Sequence, residues 1–210
     1  MQPLGIVVLA AGRSSRLGQN KQLISINGQA LIAHQCQQLS ALKAPIFCVL
    51  GYQKALVVQA LQAFPQINII ENKHWAAGLG GSIALATKQL SNRFERLLFV
   101  LGDQWQLSGD NINAFIEASN QSELTISMAT NNAKNMHRLV IENIQMAELS
   151  PPVIFDKRYY HELSLLQGEQ GAKAVLSAHK SQLNPIYFPE AFVDLDTPEQ
   201  LNKLRDVYPQ

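Results

Sequence analysis

The chain has 210 residues, which is enough to bury a substantial core and falls within the size range of one α/β domain. Hydrophobic residues make up 47% of it, charged residues make up 16%, and the net charge is +1. This balance excludes the general basic excess that is typical of proteins binding nucleic acid or anionic membranes. We therefore expect a single domain over residues 1–210 that acts on a small molecule.

The first apolar run, residues 4–11, is interpreted as a buried first strand. Basic residues follow this run rather than precede it, and it is too short to span a bilayer, so it does not indicate a secretion signal or a membrane anchor. Further along the chain, Cys36 and Cys48 lack metal-ligand spacing. We expect both to be buried free thiols in the reducing environment of the cytoplasm.

Short apolar runs alternate with segments of helical periodicity through the first two thirds of the chain. The pattern predicts strands over residues 5–10, 45–50, 67–71, 96–101 and 124–129, and helices over residues 30–42, 54–64, 82–90 and 110–119. It indicates an α/β fold with a three-layer, mostly parallel, doubly wound sheet of the Rossmann-like type. In such sheets ligands bind beyond the carboxyl ends of the strands.

The pattern loosens between about residues 130 and 146, where asparagines interrupt the apolar residues. Pro151 and Pro152 then precede another apolar run, and helix-like segments follow over residues 158–166 and 169–179. We expect a small excursion over about residues 130–180 that covers an acceptor substrate. The run Thr197-Pro198-Glu199-Gln200 has the form of a capping box with proline at the first helical position, which predicts a last helix.

The loop after the first strand carries the strongest chemical signal, with the sequence LAAGRSSRLGQNK over residues 9–21. Its small residues allow backbone N–H groups to approach phosphate oxygens, and its basic residues supply the complementary charge. Neither the P-loop pattern nor the spaced-glycine dinucleotide pattern is present, and an ordinary surface loop is the alternative. The candidate triphosphate-binding residues are Leu9, Ala10, Ala11, Gly12, Arg13, Arg16 and Lys21.

Three aspartates are candidate metal ligands. Asp103 comes directly after the predicted strand over residues 96–101, where its carboxylate would face the ligand crevice and supply the oxygen that Mg²⁺ prefers. Asp194 and Asp196 lie two residues apart in an extended segment, so both side chains project to the same side. As alternatives, Asp103 is a turn former after Gly102, and Asp196 interacts only with the dipole of the following helix.

A glycine-rich segment is a candidate for contact with the nucleotide. We expect Gly80, Gly81 and Ser82 to lie in a loop that enters a helix, where the backbone can approach a base or an anion closely. Helix capping by Ser82 is the alternative. We interpret His74 and Trp75 as packing residues, and no histidine is assigned a role because none has zinc-ligand spacing.

Taken together, these motifs resemble those of the MobA-like NTP transferases. LAAGRSSRLGQNK is similar to the family's signature loop, LAAGxSxRMGxxK, and HWAAGLGGSIALA and LGDQW are similar to its WxxGMxxSL and LxDQP segments. PPVIFDKRYYHELSLLQGEQGAK and VDLDTPEQL resemble its PVxF and DIDTPEDL regions. The resemblance covers nearly the whole chain and is strongest to the molybdenum cofactor cytidylyltransferases.

The resemblance implies a nucleotide-diphospho-sugar transferase fold and a Mg²⁺-dependent transfer of CMP from CTP to the phosphate of molybdopterin, with release of pyrophosphate. It assigns Lys21 to the α-phosphate, Arg13 and Arg16 to the outer phosphates, residues 80–82 to the base and ribose, and the metal to Asp103. Asp194 or Asp196 completes the metal site, and we favour Asp194.

Several alternatives remain open. They are GMP transfer to the same acceptor, cytidylyl or uridylyl transfer to a sugar or polyol phosphate, and a non-catalytic carrier that serves a molybdoenzyme. Ala11 stands where guanylyltransferases tend to have glycine, which favours CTP over GTP. Trp105 and the run Ser150-Pro151-Pro152 depart from the family pattern, and we expect both departures on the acceptor side.

Overall fold

The computed structural model of the protein describes residues 3–133 and 145–208. Its strands are β1 (Leu4–Ala10), β2 (Ser25–Ile26), β3 (Gln29–Ala30), β4 (Ile46–Leu50), β5 (Asn68–Glu71), β6 (Arg96–Leu101), β7 (Ile126–Thr130), β8 (Leu149–Asp156) and β9 (Leu183–Tyr187). Its α-helices are α1 (Leu31–Ser40), α2 (Lys54–Ala60), α3 (Leu79–Leu90), α4 (Gly109–Asn120), α5 (Tyr160–Ser164), α6 (Lys173–Ala178) and α7 (Pro198–Val207). Each strand and helix predicted before residue 130 is present, with ends shifted by a few residues.

Within the described ranges, the main sheet has seven strands in the order β5-β4-β1-β6-β8-β7-β9. Strands β5, β4, β1 and β6 are parallel, whereas β8 runs antiparallel to both of its neighbours, and β9 is parallel to β7. Because β1 lies between β4 and β6 and both of its faces are covered, its sequence is a continuous apolar run. The predicted mostly parallel α/β fold is confirmed.

Side chains that alternate along β1 divide the core into two layers. Val7 and Leu9 pack in one layer with residues of α3, α5 and α6, while Ile6 and Val8 pack in the other with residues of α1, α2 and α4. The second layer also holds the two free thiols, which are buried as expected, with their sulfur atoms 3.5 Å apart. The sheet between two helical layers is the three-layer arrangement that the sequence predicts.

The segment expected to form an acceptor-covering excursion contributes a strand to the main sheet, which the sequence did not predict. β8 lies between β6 and β7, because its apolar residues 153–155 are buried among the sheet residues of both layers. Pro151 and Pro152 have no backbone N–H, and they lie where the pairing of β7 with β8 shifts between Met128 and Ala129. Residues 134–144 of the expected excursion lie outside the described residues.

Two helices are shorter than predicted. The segments over residues 158–166 and 169–179 contain only α5 and α6 as α-helices. Gly168 and Gly171 between them have φ angles of 70° and 57°, which a right-handed helix does not accept. The chain therefore makes two turns here, and these turns lie beside the cavity described below.

The predicted last helix, α7, is confirmed together with its capping box between Thr197 and Gln200. It packs through Leu201 and Leu204 on a third apolar cluster that includes Trp105. Trp105 was expected on the acceptor side, but it is 3% exposed and meets the ring of Tyr208 at a centroid distance of 5.9 Å. No helix in the described ranges has the length and apolar character needed to cross a membrane.

Candidate active site

A cavity of about 620 Å³ opens at the carboxyl ends of β1 and β6. Its volume is in the range of small-molecule binding sites. The structure brings together here most of the residues selected from the sequence, although they come from distant parts of the chain. Those that line the cavity are Leu9, Ala10, Ala11, Gly12, Arg13, Arg16, Lys21, Ser82, Asp103, Asp194 and Asp196.

The loop between β1 and Lys21 is held at both ends. At its start, the backbone N–H of Tyr52 donates to the carbonyl of Ala11 over 3.0 Å. At its end, the side chain of Asn20 accepts from the backbone N–H of Gln22 over 3.1 Å and caps a 3₁₀ turn over Lys21–Leu23. The backbone N–H of Ile24 also donates to the carbonyl of Lys21 over 3.2 Å, and Lys21 from this turn lines the cavity.

The side chain of Lys21 lies between two carboxylates. Its Nζ donates to Asp103 Oδ2 and, over 2.7 Å, to Asp196 Oδ1. Arg16 approaches the same carboxylate of Asp196 at 3.7 Å from a side chain that is 81% exposed. Asp194 lies beside this group, where its Oδ1 accepts from Gln200 Nε2 over 2.8 Å. We call Asp103, Asp194 and Asp196 the carboxylate cluster.

Burial and neighbouring charges perturb both members of the central pair. Burial raises the pKa of Asp103, Lys21 opposes this effect, and the charges of Asp196 and Asp194 add to it. Burial by itself would lower the pKa of Lys21, but Asp103 and Asp196 outweigh it, so the pKa of Lys21 is raised. The raised pKa of Asp103 therefore follows mainly from burial, whereas the raised pKa of Lys21 follows from its two carboxylate partners.

Gln104 is a buried residue that sequence reasoning did not single out. Its Oε1 accepts from the backbone N–H of Leu101 over 3.0 Å, and its Nε2 donates to the carbonyls of Ala191, over 2.6 Å, and Pro151. These bonds join the end of β6 to the start of the segment that carries Asp194. In the sequence, the glutamine of the LGDQW motif is the only sign of this role. The residues whose carbonyls Gln104 bonds, Pro151 and Ala191, are remote from it in sequence.

The glycine-rich segment differs from its prediction. Helix α3 begins at Leu79 with Gly78 as its N-cap, so Gly80, Gly81 and Ser82 form its first turn rather than a loop before it. A Cβ on Gly80 would lie 2.6 Å from the carbonyl oxygen of Gln167, so this glycine allows two backbones to pack closely. Ser82 lines the cavity and accepts from Asn72 Nδ2 over 3.0 Å, and it does not cap the helix.

The two sides of the first turn of α3 face different spaces. Ser82 faces the main cavity, whereas Gly81 lines a separate groove of about 470 Å³ on the outer side of the helix. Neither Gly80 nor Gly81 is among the residues that line the main cavity. Their expected contact with the base is therefore not what this geometry offers.

Trp75 and Glu169 also line the cavity, although neither was selected as a site residue. Trp75 was expected to pack, and it does so against the first core layer while its ring meets Tyr52 edge to face at 5.4 Å. The guanidinium of Arg13 lies 5.8 Å from the centre of the Tyr52 ring, so Tyr52 contacts two residues that line the cavity. Glu169 enters the cavity because the glycines of α3 let its segment approach.

A second, smaller cavity of about 100 Å³ adjoins the first. The two share Leu9, Leu79 and Leu101 as walls, and the small cavity is otherwise lined mainly by apolar side chains of the first core layer. Gln170 and Lys173 are its polar lining residues, and Pro151 also borders it. One of the departures from the family pattern, Ser150-Pro151-Pro152, therefore adjoins this cavity.

Comparison with known proteins agrees with the geometry. Residues 6–183 match the model of the MobA-like NTP transferase domain. The chain belongs to the MobA-like NTP transferase family. It is 23% identical over 213 residues to the purine catabolism protein PucB of Bacillus subtilis, a match that covers 95% of this chain and 94% of that protein.

The bifunctional protein GlmU of Gloeothece citriformis is 31% identical over 133 residues. That match covers 60% of this chain and only 29% of the relative. The chain therefore spans less than a third of the length of this relative. The nucleotidyltransferase class is nevertheless supported by the family match across most of the chain.

Solved structures share the fold of this MobA-like protein. Rv0371c of Mycobacterium tuberculosis, in complex with manganese, has a TM-score of 0.73 and 19% identity over 98% of this chain and 99% of its own. A CMP:2-keto-3-deoxy-manno-octonic acid synthetase in complex with CTP has a TM-score of 0.71 and 16% identity over 98% of this chain and 98% of its own. The molybdopterin-guanine dinucleotide biosynthesis protein A of Archaeoglobus fulgidus has a TM-score of 0.63 and 14% identity over 97% of this chain and 97% of its own. At these identities the likeness shows the fold alone.

The donor chemistry of the MobA-like site fits a magnesium ion that is shared with a triphosphate. Across residues 3–133 and 145–208, no group of three or more His, Cys, Asp or Glu side chains is arranged to hold a metal ion by itself. Mg²⁺ commonly takes only one or two protein carboxylates and fills its other positions with water and substrate phosphates. Asp103 and Asp194 are two carboxylates that line the same cavity as the loop after β1.

Proposed function

We propose that this protein transfers the CMP unit of CTP to the phosphate of molybdopterin or the molybdenum cofactor and releases pyrophosphate. The observation that carries the proposal is the position of Lys21. Its ammonium lies between Asp103 and Asp196, inside the cavity that the loop after β1 borders. Phosphoryl chemistry needs a cationic group, carboxylates and a loop that can bind phosphate. Residues of all three kinds line this one cavity.

In the proposed reaction, an oxygen of the acceptor phosphate attacks the α-phosphorus of CTP. The new P–O bond forms as the bond to the β-phosphate oxygen breaks, and pyrophosphate leaves with the electron pair. The acceptor phosphate is already ionised at neutral pH, so no general base is required. Lys21 donates to the α-phosphate, while Arg13 and Arg16 pair with the outer phosphates as charge develops there.

Mg²⁺ is the proposed cofactor, and Asp103 and Asp194 would hold it. When bound, the ion neutralises charge on the triphosphate. We favour Asp194 over Asp196 because Asp196 is paired with two cations, Lys21 and Arg16, whereas Asp194 accepts from the neutral amide of Gln200. The manganese complex of Rv0371c supports a divalent cation in this fold.

The small apolar cavity supports a ring-containing acceptor over a sugar or polyol. Hydroxyl groups placed against its walls would find few partners, and each unpaired buried hydroxyl costs about 1–3 kcal/mol. The face of a pterin ring is compatible with apolar side chains such as those of Phe99 and Leu101. Cytidylyl transfer to a sugar acid is the second candidate, because a synthetase of that kind shares the fold.

We propose that CTP is preferred over GTP. Ala11 lines the cavity with a methyl group where a glycine would leave room for a purine. Gly80 and Gly81 do not line the same cavity, so they do not provide compensating space. Steric discrimination of this kind is worth about 1–3 kcal/mol. Calorimetric titration with CTP, GTP, ATP and UTP in Mg²⁺ tests the preference, and tighter binding of GTP would reassign the protein to guanylyl transfer.

The test of the whole proposal is pyrophosphate release by the purified protein. CTP, GTP, ATP and UTP are each combined with molybdopterin, the molybdenum cofactor and a set of sugar and polyol phosphates, with Mg²⁺ or Mn²⁺. We expect release with CTP and the molybdenum-containing or pterin acceptor. Pyrophosphate release with a polyol phosphate and with no pterin compound would mean that a polyol phosphate is the acceptor. Nucleotide binding without any release would instead support a carrier that delivers a ligand to a molybdoenzyme.

A further inference from the structure

In this structure, a side chain of the protein itself fills the cation position of the carboxylate cluster. The ammonium of Lys21 donates to Asp103 and Asp196, and its side chain is only 17% exposed. An ammonium has three donor hydrogens and no acceptor, so these two bonds use most of its capacity. The partners of Lys21 are therefore carboxylates whose oxygens are also suited to a metal ion.

The proposed function requires the same groups to have other partners. Lys21 must reach the α-phosphate of the nucleotide, and Asp103 must reach a divalent cation. Mg²⁺ binds carboxylate oxygen at about 2.0–2.1 Å, so an ion on Asp103 would lie against the ammonium if Lys21 stayed in place. The two positive charges would then repel each other in a partly buried site, where solvent screens poorly.

We propose that Lys21 acts as a resident cation, which keeps divalent metal out of the nucleotide-free protein and leaves the carboxylates only when the metal–triphosphate complex arrives. This inference rests on the proposed function of the site. After the exchange, the α-phosphate is the partner of Lys21 and the metal is the partner of Asp103. Because Lys21 gains the α-phosphate as it releases Asp103 to the metal, metal and nucleotide bind cooperatively.

The local structure allows the exchange without a change in the fold. The 3₁₀ turn that carries Lys21 is held by the side-chain cap of Asn20 and by the bond from the backbone N–H of Ile24 to the Lys21 carbonyl, so the backbone can stay in place. The side chain of Lys21 ends in a compact charge on a flexible four-carbon stem, which can swing between neighbouring acceptors. The alternative is a fixed ion pair that only stabilises the site. A fixed pair would keep Asp103 occupied when the nucleotide arrives, so the nucleotide would not raise the affinity of the wild type for metal.

The test uses Mn²⁺ alone as the probe and compares wild type with Lys21→Met and Lys54→Met. Lys54 is the matched control because its ammonium also lies 2.7 Å from a carboxylate, that of Glu71, but outside the cavity. Free Mn²⁺ is measured by electron paramagnetic resonance at fixed pH and salt. We expect Lys21→Met to bind Mn²⁺ about tenfold more tightly than the other two proteins, which is the usual scale of coupling between sites.

A second measurement, made on the wild type alone, tests the same exchange. Water proton relaxation enhancement separates Mn²⁺ in a ternary complex from Mn²⁺ on free nucleotide, and a non-hydrolysable CTP analogue should raise the affinity for protein-bound Mn²⁺ by a similar factor. If Lys21→Met does not fold, as judged by circular dichroism, Lys21→Gln takes its place. Equal Mn²⁺ affinity with and without the ammonium, or with and without the analogue, would overturn the proposal.

The outcomes separate this inference from the proposed function. If pyrophosphate is released but Mn²⁺ affinity is indifferent to Lys21, the function stands and the resident-cation role is wrong. If Mn²⁺ affinity rises both in Lys21→Met and in the wild type with the CTP analogue, but no nucleotide yields pyrophosphate, the exchange stands and the transfer reaction is wrong.

Discussion

Replacing Gln104 by leucine tests whether one buried amide holds the two halves of the carboxylate cluster in place. The change deprives the backbone N–H of Leu101 of its acceptor and the carbonyls of Pro151 and Ala191 of their donor. Because Gln104 is 1% exposed, water has little access to take over these bonds. Each buried group left without a partner costs about 1–3 kcal/mol, and leucine recovers part of that through apolar burial.

We expect a net loss of about 3 kcal/mol in the free energy of unfolding, which for a chain of this size is a fall in Tm of roughly 6 to 12 °C. Scanning calorimetry measures it, with Gln89→Leu on the exposed face of α3 as the control that should leave Tm unchanged. The kcat for pyrophosphate release should fall as well, because the segment leading to Asp194 loses its anchor. A Tm equal to that of wild type would show that Gln104 does not hold these segments together.

Three further outcomes follow from the site. Asp103→Asn should nearly abolish pyrophosphate release, yet leave Tm at pH 7 unchanged or higher, because burial raises the pKa of Asp103 and the fold thus disfavours its ionised form; a large fall in Tm would contradict this. Lys21→Ala should cost about 2–4 kcal/mol in kcat/KM, mainly through kcat, whereas an effect confined to KM would mean ground-state binding alone. Gly80→Ala should lower Tm, because its Cβ would lie 2.6 Å from a backbone carbonyl of residue 167, while Gly81→Ala meets nothing within 4 Å and should leave Tm unchanged or raise it slightly.

The parts of the fold that sequence predicts well are those set by local periodicity. β1 is a continuous apolar run followed by small residues, so both the strand and the ligand-facing loop after it can be recognised without knowing their neighbours. The capping box at Thr197 is equally local. By contrast, the sequence predicts an excursion where β8 lies, because no local pattern in its residues indicates insertion between β6 and β7.

The geometry of the site is non-local, and this limits what sequence shows. Lys21 and Asp196 are separated by 175 positions, and their contact depends on α7 and the preceding extended segment folding back over the loop after β1. Sequence reasoning selected both residues by type and by resemblance, but it placed Lys21 only with phosphate. The pairing of Lys21 with two carboxylates is visible only when the carboxyl ends of the strands are assembled.

The glycines of α3 show how a motif can be recognised and still be misassigned. A glycine run at the start of a helix suits anion binding, yet the backbone N–H of Gly80 donates to the carbonyl of Gly168 over 2.8 Å. The Gly168 carbonyl therefore occupies the N–H group of Gly80 that an anion would need. This contact also sets the distance between α3 and the segment that carries Glu169. Because α3 also presents Ser82 to the cavity, the glycines determine cavity shape through packing rather than through contact with the nucleotide. A substitution at Gly80 should accordingly disturb both walls of the cavity at once, whereas one at Gly81 should disturb neither.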